Sequence, residues 1–519
     1  MNWWLVLPIA LPFLGAVLGL AAFGHDRVQR VLAVAGAAGQ LVAAIGLTRL
    51  VADEGIQAMQ VGDWRAPFGI TLVADHFSAL ALLAGSIAGG AAIVYAAMTV
   101  DRRRARFGYF SFAGILTAAV AGAFLTGDLF NLFVWFEVML IASFVLLAVG
   151  RRPQQAAGAT TYVTLNLVAS ATFLTAAGLA YALTGTLNFA DLSVRLAEVE
   201  QRELVAALAI LLLAAFGSKA AAYPLSAWLP ASYHTPAPDV SALFAGLLTK
   251  VGVYAVARSV TLFFPEEAVI HDVVLFGAGA TMVVGVLGAL AQYDMRRLLS
   301  FHIASQVGYM FMGVGLLTPL ALAGTTFYMA QHMVTKTSLF LVAAVVEERR
   351  GTDDLKALGG LYRTHLPLAL VFALAALALA GIPPFSGFVA KFALARAGME
   401  VDAWLIVGVS LAVSLFTLLS MVKIWNEAFW KAPPADGNLA VPVALPTPDD
   451  DLGRANTFYR GAAILLPAAV LAGVSVAMGL AAGPLFDLAM SAGEELADPS
   501  RYIEAVLGGA EQARAGGVR

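Results

Sequence analysis

Apolar segments of about 20 residues recur along almost the whole chain, and this recurrence limits its fold more than any other feature. Each segment is long enough to cross the hydrocarbon layer of a membrane as an α-helix. Only 13% of the 519 residues are charged, whereas a soluble protein carries about 25%. The sequence therefore predicts an all-α polytopic membrane protein with about fourteen transmembrane helices, near residues 3–23, 29–50, 74–99, 108–126, 128–150, 161–186, 203–228, 239–263, 270–291, 297–317, 322–346, 365–398, 403–430 and 460–483.

Lysine and arginine residues are concentrated in every second predicted loop. The even-numbered loops hold little beyond Arg65, Arg195 and Arg202. The odd-numbered loops hold Arg27, Arg30, Arg102, Arg103, Arg104, Arg106, Arg151, Arg152, Arg296, Arg297, Arg349, Arg350, Lys356, Arg363, Lys431 and Arg454. Because cytoplasmic loops are enriched in these residues, we predict that the odd-numbered loops lie in the cytoplasm and that both termini lie outside it.

Composition excludes several kinds of site. The chain has no cysteine, which rules out thiolate-held iron–sulfur clusters, disulfides and cysteine zinc sites. Its seven histidines are too scattered to indicate a metal site, so we predict neither a metal nor a cofactor. The net charge of −3 gives no indication of a nucleic-acid partner. The N-terminus lacks the positively charged start of a signal peptide, so we interpret it as the first transmembrane helix.

Two predicted spans contain prolines that interrupt a helix. Pro224 lies in the seventh span, and Pro383 and Pro384 lie in the twelfth. A proline removes a helix hydrogen bond, and the freed carbonyl groups are tolerated at membrane depth only beside protein or water. The two interruptions are five helices apart, and an odd offset reverses the orientation of the second copy. Helices 4–8 and 9–13 would then form inverted repeats, although prolines alone leave this open.

Five charged residues lie deep inside the predicted spans. They are Glu137, Lys219, Lys250, Lys336 and Lys391. Each costs about 2.5–3.5 kcal/mol near the centre of a membrane. A lysine can extend its stem toward the headgroups, and a glutamate can make a purely structural hydrogen bond. Both alternatives are difficult near the midplane. We therefore predict that these residues are paired, hydrated and functional.

Three histidines and one aspartate are further candidates for the same chemistry. His332 and His302 lie within spans, His234 lies in a loop, and Asp75 lies beside a span. His332 and His302 have an alternative structural role, as neutral rings packed between helices, whereas His234 is either a loop residue or the mouth of a path. Burial disfavours a charged amine and a nearby carboxylate favours it, so buried lysines and histidines bridged by water are suited to carrying protons. With few carboxylates available, a sodium site formed wholly by this chain is not evident.

Three segments resemble a known family. They are "NLFVWFEVMLIASFVLLA", "KAAAYPLSAWLPASYHTPAPDVSALFAGLLTKVGVYA" and "LALAGIPPFSGFVAKF". Together they are similar to the antiporter-like subunits shared by respiratory complex I and the multisubunit Mrp sodium/proton antiporters, and the sequences of helices 5, 7 and 8 look closest to the D-type subunits of the Mrp branch. The resemblance extends over helices 3 to 13.

The resemblance implies both an architecture and a set of residues. It implies the inverted repeats and a central hydrophilic axis lined by Glu137, Lys219, Lys250 and Lys391, and it places His332 and Lys336 on helix 11. The predicted units are residues 1–107 with helices 1 to 3, 108–263 with the first five-helix repeat, 270–430 with the second repeat, 432–459 as a cytoplasmic loop, and 460–519 with helix 14 and a C-terminal tail.

The resemblance also implies a transporter subunit rather than an enzyme. We expect a proton-translocating subunit of an Mrp-type sodium/proton antiporter in a bacterial inner membrane, with lipid around it, the other antiporter subunits as partners, and protons and Na⁺ as transported ions. The alternative is a proton-pumping subunit of a complex I-type NADH-quinone oxidoreductase or a membrane-bound hydrogenase. A lipid or sugar flippase is disfavoured because the arginines lie almost wholly in loops.

Overall fold

The computed structural model describes residues 2–150, 153–432 and 463–516. Nearly all of the predicted loop 432–459 and the first residues of the predicted last span lie outside the described residues. The described part is built almost entirely from helices that lie side by side.

The N-terminal unit contains three long helices: α1 (Trp3–Ala21), α2 (Asp26–Glu54) and α3 (His76–Thr99). A small antiparallel hairpin, β1 (Gln57–Gln60) and β2 (Thr71–Ala74), lies between α2 and α3, with Gln57 opposite Ala74. This hairpin departs from the predicted all-α architecture. It lies in a connection too short and too polar for a membrane span, where Gly62 adopts a φ of 67° in the turn.

The next helices include the first interrupted span. Asp128 begins α6 by accepting a hydrogen bond from the backbone N–H of Asn131 at 2.7 Å. α9 ends at Ala221, which adopts a left-handed φ of 61°, just before Pro224. The helices are α4 (Arg102–Arg106), α5 (Tyr109–Leu125), α6 (Leu129–Ala148), α7 (Pro153–Thr184), α8 (Phe189–Glu198), α9 (Arg202–Ala220), α10 (Trp228–Ser232) and α11 (Pro238–Phe263).

A second set of helices contains the second interrupted span. α16 ends at Gly381, where φ is 85°, a conformation that favours glycine. Pro383 and Pro384 follow in the gap. The helices are α12 (Ala268–Leu290), α13 (Met295–Leu316), α14 (Pro319–Arg350), α15 (Leu361–Thr364), α16 (Leu366–Ala380), α17 (Ser386–Glu400) and α18 (Trp404–Ile424), which continues into a π-helical turn, Trp425–Trp430.

The C-terminal segment turns back over the helical body. α19 (Leu466–Leu480) is followed after a bend of 81° by α20 (Ala482–Ala497), and then by α21 (Pro499–Gly516). α20 packs against α14 and α3, and α21 packs against α8 and the hairpin. The predicted C-terminal tail after the last span therefore contains two helices.

α11 and α14 form the centre of the described fold. Every residue in the most apolar 18-residue stretch of each helix is buried. Because Lys250 and Lys336 lie on these two helices with no exposed surface, neither side chain extends along its stem to the headgroups.

Ten described helices are long and apolar enough to cross a membrane, or eleven if the bent pair α19 and α20 counts as one span. Each predicted span coincides with a helix or with a pair of helices. α5 and α16 are shorter apolar helices, and α13 carries Arg296 and Arg297 in its first turn. The larger count of about fourteen crossings and the inverted repeats therefore remain predictions.

Candidate functional site

Lys219 lies at the interruption of the first broken helix, in the last turn of α9. Its Nζ donates hydrogen bonds to Oγ of Ser170 at 2.9 Å and to the backbone carbonyl of Asn166 at 3.4 Å, both on α7. The same ammonium lies 5.4 Å from the centroid of the Phe136 ring on α6. The last carbonyl groups of a helix carry a partial negative charge, so this position suits a buried cation.

Glu137 follows Phe136 on α6 and is close enough to interact electrostatically with Lys219. The two residues do not, however, form one of the ion pairs found among the described residues, all of which have N to O distances within 4.0 Å. The Oε1 atom of Glu137 is buried and has no hydrogen-bond partner in the described chain. The expected pairing of Glu137 with Lys219 is therefore a through-space electrostatic interaction beside the Phe136 ring, and not a direct contact.

Lys250 and Lys336 occupy the centre of the helical body. Lys250 donates to the carbonyl of Ala245 at 2.5 Å within α11. Lys336 donates from α14 to the carbonyl of Leu299 on α13 at 3.1 Å. The two amines are near enough to interact electrostatically, and neither forms an ion pair with a carboxylate in the part of the chain that the structure describes.

His332 lies one helical turn before Lys336 and interacts electrostatically with three lysines, Lys250, Lys336 and Lys391. Neither of its ring nitrogens has a hydrogen-bond partner among the described residues. His302 contacts Ser420 through Nε2 at 2.5 Å. Further buried polar atoms without a described partner belong to Thr249, Gln306 and Gln331. Buried polar groups usually have a partner, often an ordered water, so this region is suited to holding water.

Lys391 lies on α17, after the second interruption. Its Nζ donates to the carbonyls of Leu379 and Ala380 at 3.2 and 3.1 Å. These are the last carbonyls of α16, which have no partner within their own helix. The amine also lies 4.6 Å from the centroid of the Tyr309 ring on α13. The interruption at the prolines thus provides the acceptors that hold a partly buried lysine.

Asp75 lies apart from these lysines. It begins α3 and forms a buried ion pair with Arg258 on α11. The guanidinium of Arg258 lies within 5.4 Å of the centroids of the Phe77, Tyr254 and Tyr502 rings. The sequence analysis did not identify Arg258, although an arginine within the apolar run "VYAVARSVTLF" was a usable signal.

His234 also lies away from the lysines, in the connection between α10 and α11. Its Nδ1 is 2.9 Å from the carbonyl oxygen of Pro230, and burial lowers the pKa of its ring. It borders an open cavity of about 420 Å³ that is also lined by Thr161, Thr235 and Asp294. The position agrees with either of its two expected roles, a loop residue or the mouth of a path.

A metal centre is not indicated. The described residues contain no group of three or more histidine, aspartate or glutamate side chains arranged to hold an ion. What the site offers is instead a group of amines around His332, formed by Lys250, Lys336 and Lys391, with Lys219 at the first helix interruption.

Comparison with known proteins identifies the family. Residues 126–417 match the model of a family described as NADH:quinone oxidoreductase/Mrp antiporter, TM, which is more than half of the 519 residues. The chain belongs to this family. It is 42% identical to the D-type subunit of the Na(+)/H(+) antiporter of Alkalihalophilus pseudofirmus, over 98% of this chain and 100% of that relative. The resemblance seen in the three sequence segments is thereby confirmed.

Two solved structures contain chains with the same fold. A chain in the Mrp complex from Dietzia sp. DQ12-45-1b superposes with a TM-score of 0.89 at 34% identity, covering 98% of this chain and 100% of that one. A chain of the membrane-bound sulfane sulfur reductase, an archaeal respiratory membrane complex, superposes with a TM-score of 0.83 at 24% identity, covering 97% and 99%. The second likeness concerns the fold alone.

Proposed function

We propose that this chain is the proton-translocating membrane subunit of a multisubunit Mrp-type Na⁺/H⁺ antiporter. The observation that carries the proposal is the position of His332, whose two ring nitrogens have no hydrogen-bond partner among the described residues and which interacts electrostatically with Lys250, Lys336 and Lys391. Similarity to a D-type antiporter subunit over nearly the whole chain supports it. The subunit lies in a bacterial inner membrane, with the odd-numbered loops in the cytoplasm and both termini outside.

The buried amines are the proton carriers in this proposal. Glu137 adjusts the charge of Lys219, which passes protons to Lys250 and then, through water and His332, to Lys336 and Lys391. Each amine is neutral or charged according to the charges near it, because burial disfavours the ammonium form and a nearby carboxylate favours it. The lack of a fixed carboxylate partner at Lys250 and Lys336 within the described chain leaves both amines free to change protonation state.

Glu137 also supports the presence of partner subunits. It lies on the face of α6 that carries Val134, Ile141 and Phe144, whose side chains are at least 40% exposed. A carboxylate on a face exposed to lipid is costly. Another subunit of the antiporter therefore covers this face and provides the polar surroundings of Glu137.

The alternative is a proton-pumping subunit of a redox-driven respiratory complex. The likeness to the sulfane sulfur reductase chain extends to the fold, and the same lysines would serve either complex. The genes beside this one separate the two hypotheses, because an antiporter is accompanied by small cation-transport subunits and a redox complex by dehydrogenase or hydrogenase subunits.

The direct test measures pH changes in vesicles that contain all subunits of the complex, on addition of Na⁺, K⁺ or Li⁺. Glu137→Ala should abolish cation-dependent proton movement while the complex still assembles. Glu203→Ala, which removes an exposed acid from the first turn of α9, should leave the activity unchanged. Full antiport by the assembled Glu137→Ala complex would overturn the proposed path.

A further inference from the structure

The two lysines beside the helix interruptions have similar surroundings with one difference. Lys219 lies over the Phe136 ring of α6, and the next residue along α6 is Glu137. Lys391 lies over the Tyr309 ring of α13 at the shorter distance of 4.6 Å, and the next residue along α13 is Met310. Lys391 therefore has a closer ring but lacks the neighbouring acid.

Tyr309 is held rigidly by a helix on its far side. Its hydroxyl donates to the carbonyl of Ser410 at 2.5 Å and lies 2.7 Å from Oγ of Ser414, both on α18. The side chain is almost fully buried. A ring whose tip is fixed in this way presents a constant face to the amine, and the face of an aromatic ring attracts a cation.

A second aromatic ring, that of Tyr328, lies between Tyr309 and His332. The centroids of Tyr309 and Tyr328 are 5.6 Å apart, and those of Tyr328 and His332 are 6.1 Å apart. Tyr328 donates from its hydroxyl to Oε1 of Gln306. Two neighbouring tyrosines thus form the wall between His332 and Lys391.

We propose that Tyr309 is a positioning residue for Lys391, whose ring face stabilises the protonated amine where an acid stabilises Lys219. This inference rests on the proposed function, because Lys391 matters only if it carries protons. Tyr309 touches no transported ion itself and acts through the lysine.

The other titratable groups around Lys391 are histidine, tyrosine and lysine side chains. His302 of α13 and His332 of α14 interact with it electrostatically, and Tyr328 and Lys336 lie on α14 beside them. α16 contributes the carbonyls of its last turn. No carboxylate in the described part of the chain forms an ion pair with Lys391. On the side of Lys391 that faces α13, the Tyr309 ring is therefore the group that favours the charged amine.

The test compares the pH dependence of cation-driven proton movement in vesicles containing the whole complex. Tyr309→Leu should shift the pH of half-maximal activity downward by roughly 0.5–1 unit, since losing the cation–π contact disfavours the charged amine. Tyr309→Phe should keep a pH profile close to that of the wild type, because the ring face remains. Tyr293→Leu is a matched control, since its exposed ring lies 3.7 Å from Nζ of Lys423, away from Lys391.

A variant that keeps the shape of the ring covers the case in which Tyr309→Leu does not assemble. Fluorinated phenylalanine at position 309 retains the ring volume and weakens the negative face, so the pH of half-maximal activity should fall stepwise with added fluorine. An unchanged profile in the leucine and fluorinated variants overturns the inference. Lys391→Ala distinguishes the proposed path from the role of Tyr309. Full activity in that variant overturns the path itself. Loss of activity in that variant, together with an unchanged pH profile in the Tyr309 variants, overturns only the role of Tyr309.

Discussion

Asp75 and Arg258 form an ion pair with almost no exposed surface, 1% for the acid and 3% for the base. Asp75 begins α3, and Arg258 lies near the end of α11, so the pair ties the N-terminal helices to the central helix. Tyr502 of α21 covers the guanidinium. The C-terminal helix thus closes one end of the fold over a buried charge pair.

Breaking this pair should strongly destabilise the protein. Asp75→Asn keeps a side chain that can begin α3 but leaves Arg258 as a buried, uncompensated charge, which costs about 3–5 kcal/mol. Thermal unfolding of the purified complex measures the loss. Glu400→Gln, which breaks the exposed pair of Arg396 and Glu400, should cost no more than about 0.5 kcal/mol. Equal losses of stability in Asp75→Asn and Glu400→Gln would contradict the assignment of Asp75 and Arg258 as a buried ion pair.

Glu495 fastens α20 to the start of α3. One carboxylate oxygen accepts the backbone N–H of His76 at 3.0 Å, and the other lies 2.7 Å from Nδ1 of the same residue. Glu495→Gln weakens charge-assisted hydrogen bonds that are worth about 1.5–3 kcal/mol each, so we expect faster protease cleavage between α19 and α21. Glu494→Gln changes the exposed neighbouring acid and should leave the cleavage rate unaltered; a matching increase there would argue against the contact.

Gly252 allows α11 to approach the end of α9 closely. A Cβ atom at this position would lie 2.4 Å from the backbone nitrogen of Ala220 and 2.7 Å from the carbonyl carbon of Lys219. Gly252→Ala must therefore move the helix end that carries Lys219, at a cost of about 1–3 kcal/mol. We expect antiport by assembled complexes to fall, because a displacement of a functional group by about 1 Å can cost up to about 100-fold in rate.

The control for this change is Gly178→Ala, because a Cβ at Gly178 would meet nothing within 4 Å. That variant should retain wild-type antiport and assembly. Wild-type antiport in Gly252→Ala would show that the position of Lys219 tolerates displacement.

The depth of the charged residues could be predicted from the sequence, whereas most of their partners could not. A window of about 20 apolar residues is a local property, so the burial of Lys250 and Lys336 follows from counting along one span. The contacts of Lys219 with Ser170 and of Lys391 with Tyr309 join residues 49 and 82 positions apart. Such contacts depend on how helices rotate against one another, which apolar helices leave unspecified because their hydrophobic residues face all directions.

The prolines were informative for the same local reason. Pro224 and the pair Pro383 and Pro384 mark helix interruptions because the missing N–H acts within a single turn. The position of each lysine relative to the interruptions depends on tertiary packing. The carbonyls before the second interruption bind Lys391, whereas Lys219 itself lies before the first interruption. Arg258 was not predicted because almost all other arginines lie in loops, although its position inside an apolar run is the same signal that marked the buried lysines.

Asp294 provides a test of stability against pH. Burial raises the pKa of its carboxyl from 3.8 to about 6, and the nearby Asp353 adds to the shift. Because the folded-state pKa is above the unfolded one, the charged form is disfavoured in the fold, and stability falls as the pH rises from about 4 to about 6. Asp294→Asn stays neutral and can still accept the N–H of Arg297, which Asp294 accepts at 2.8 Å.

We therefore expect Asp294→Asn to be more stable than the wild type at pH 7.5, by about 1–2 kcal/mol after allowance for partial exposure, and to gain little at about pH 4. Unfolding temperatures measured at both pH values give the difference. Asp354→Asn, at the exposed neighbouring acid, should show no such pH-dependent gain. A constant gain across the pH range would mean that the substitution acts through the cap of α13 and not through the charge, because only a titrating group makes stability depend on pH in this interval.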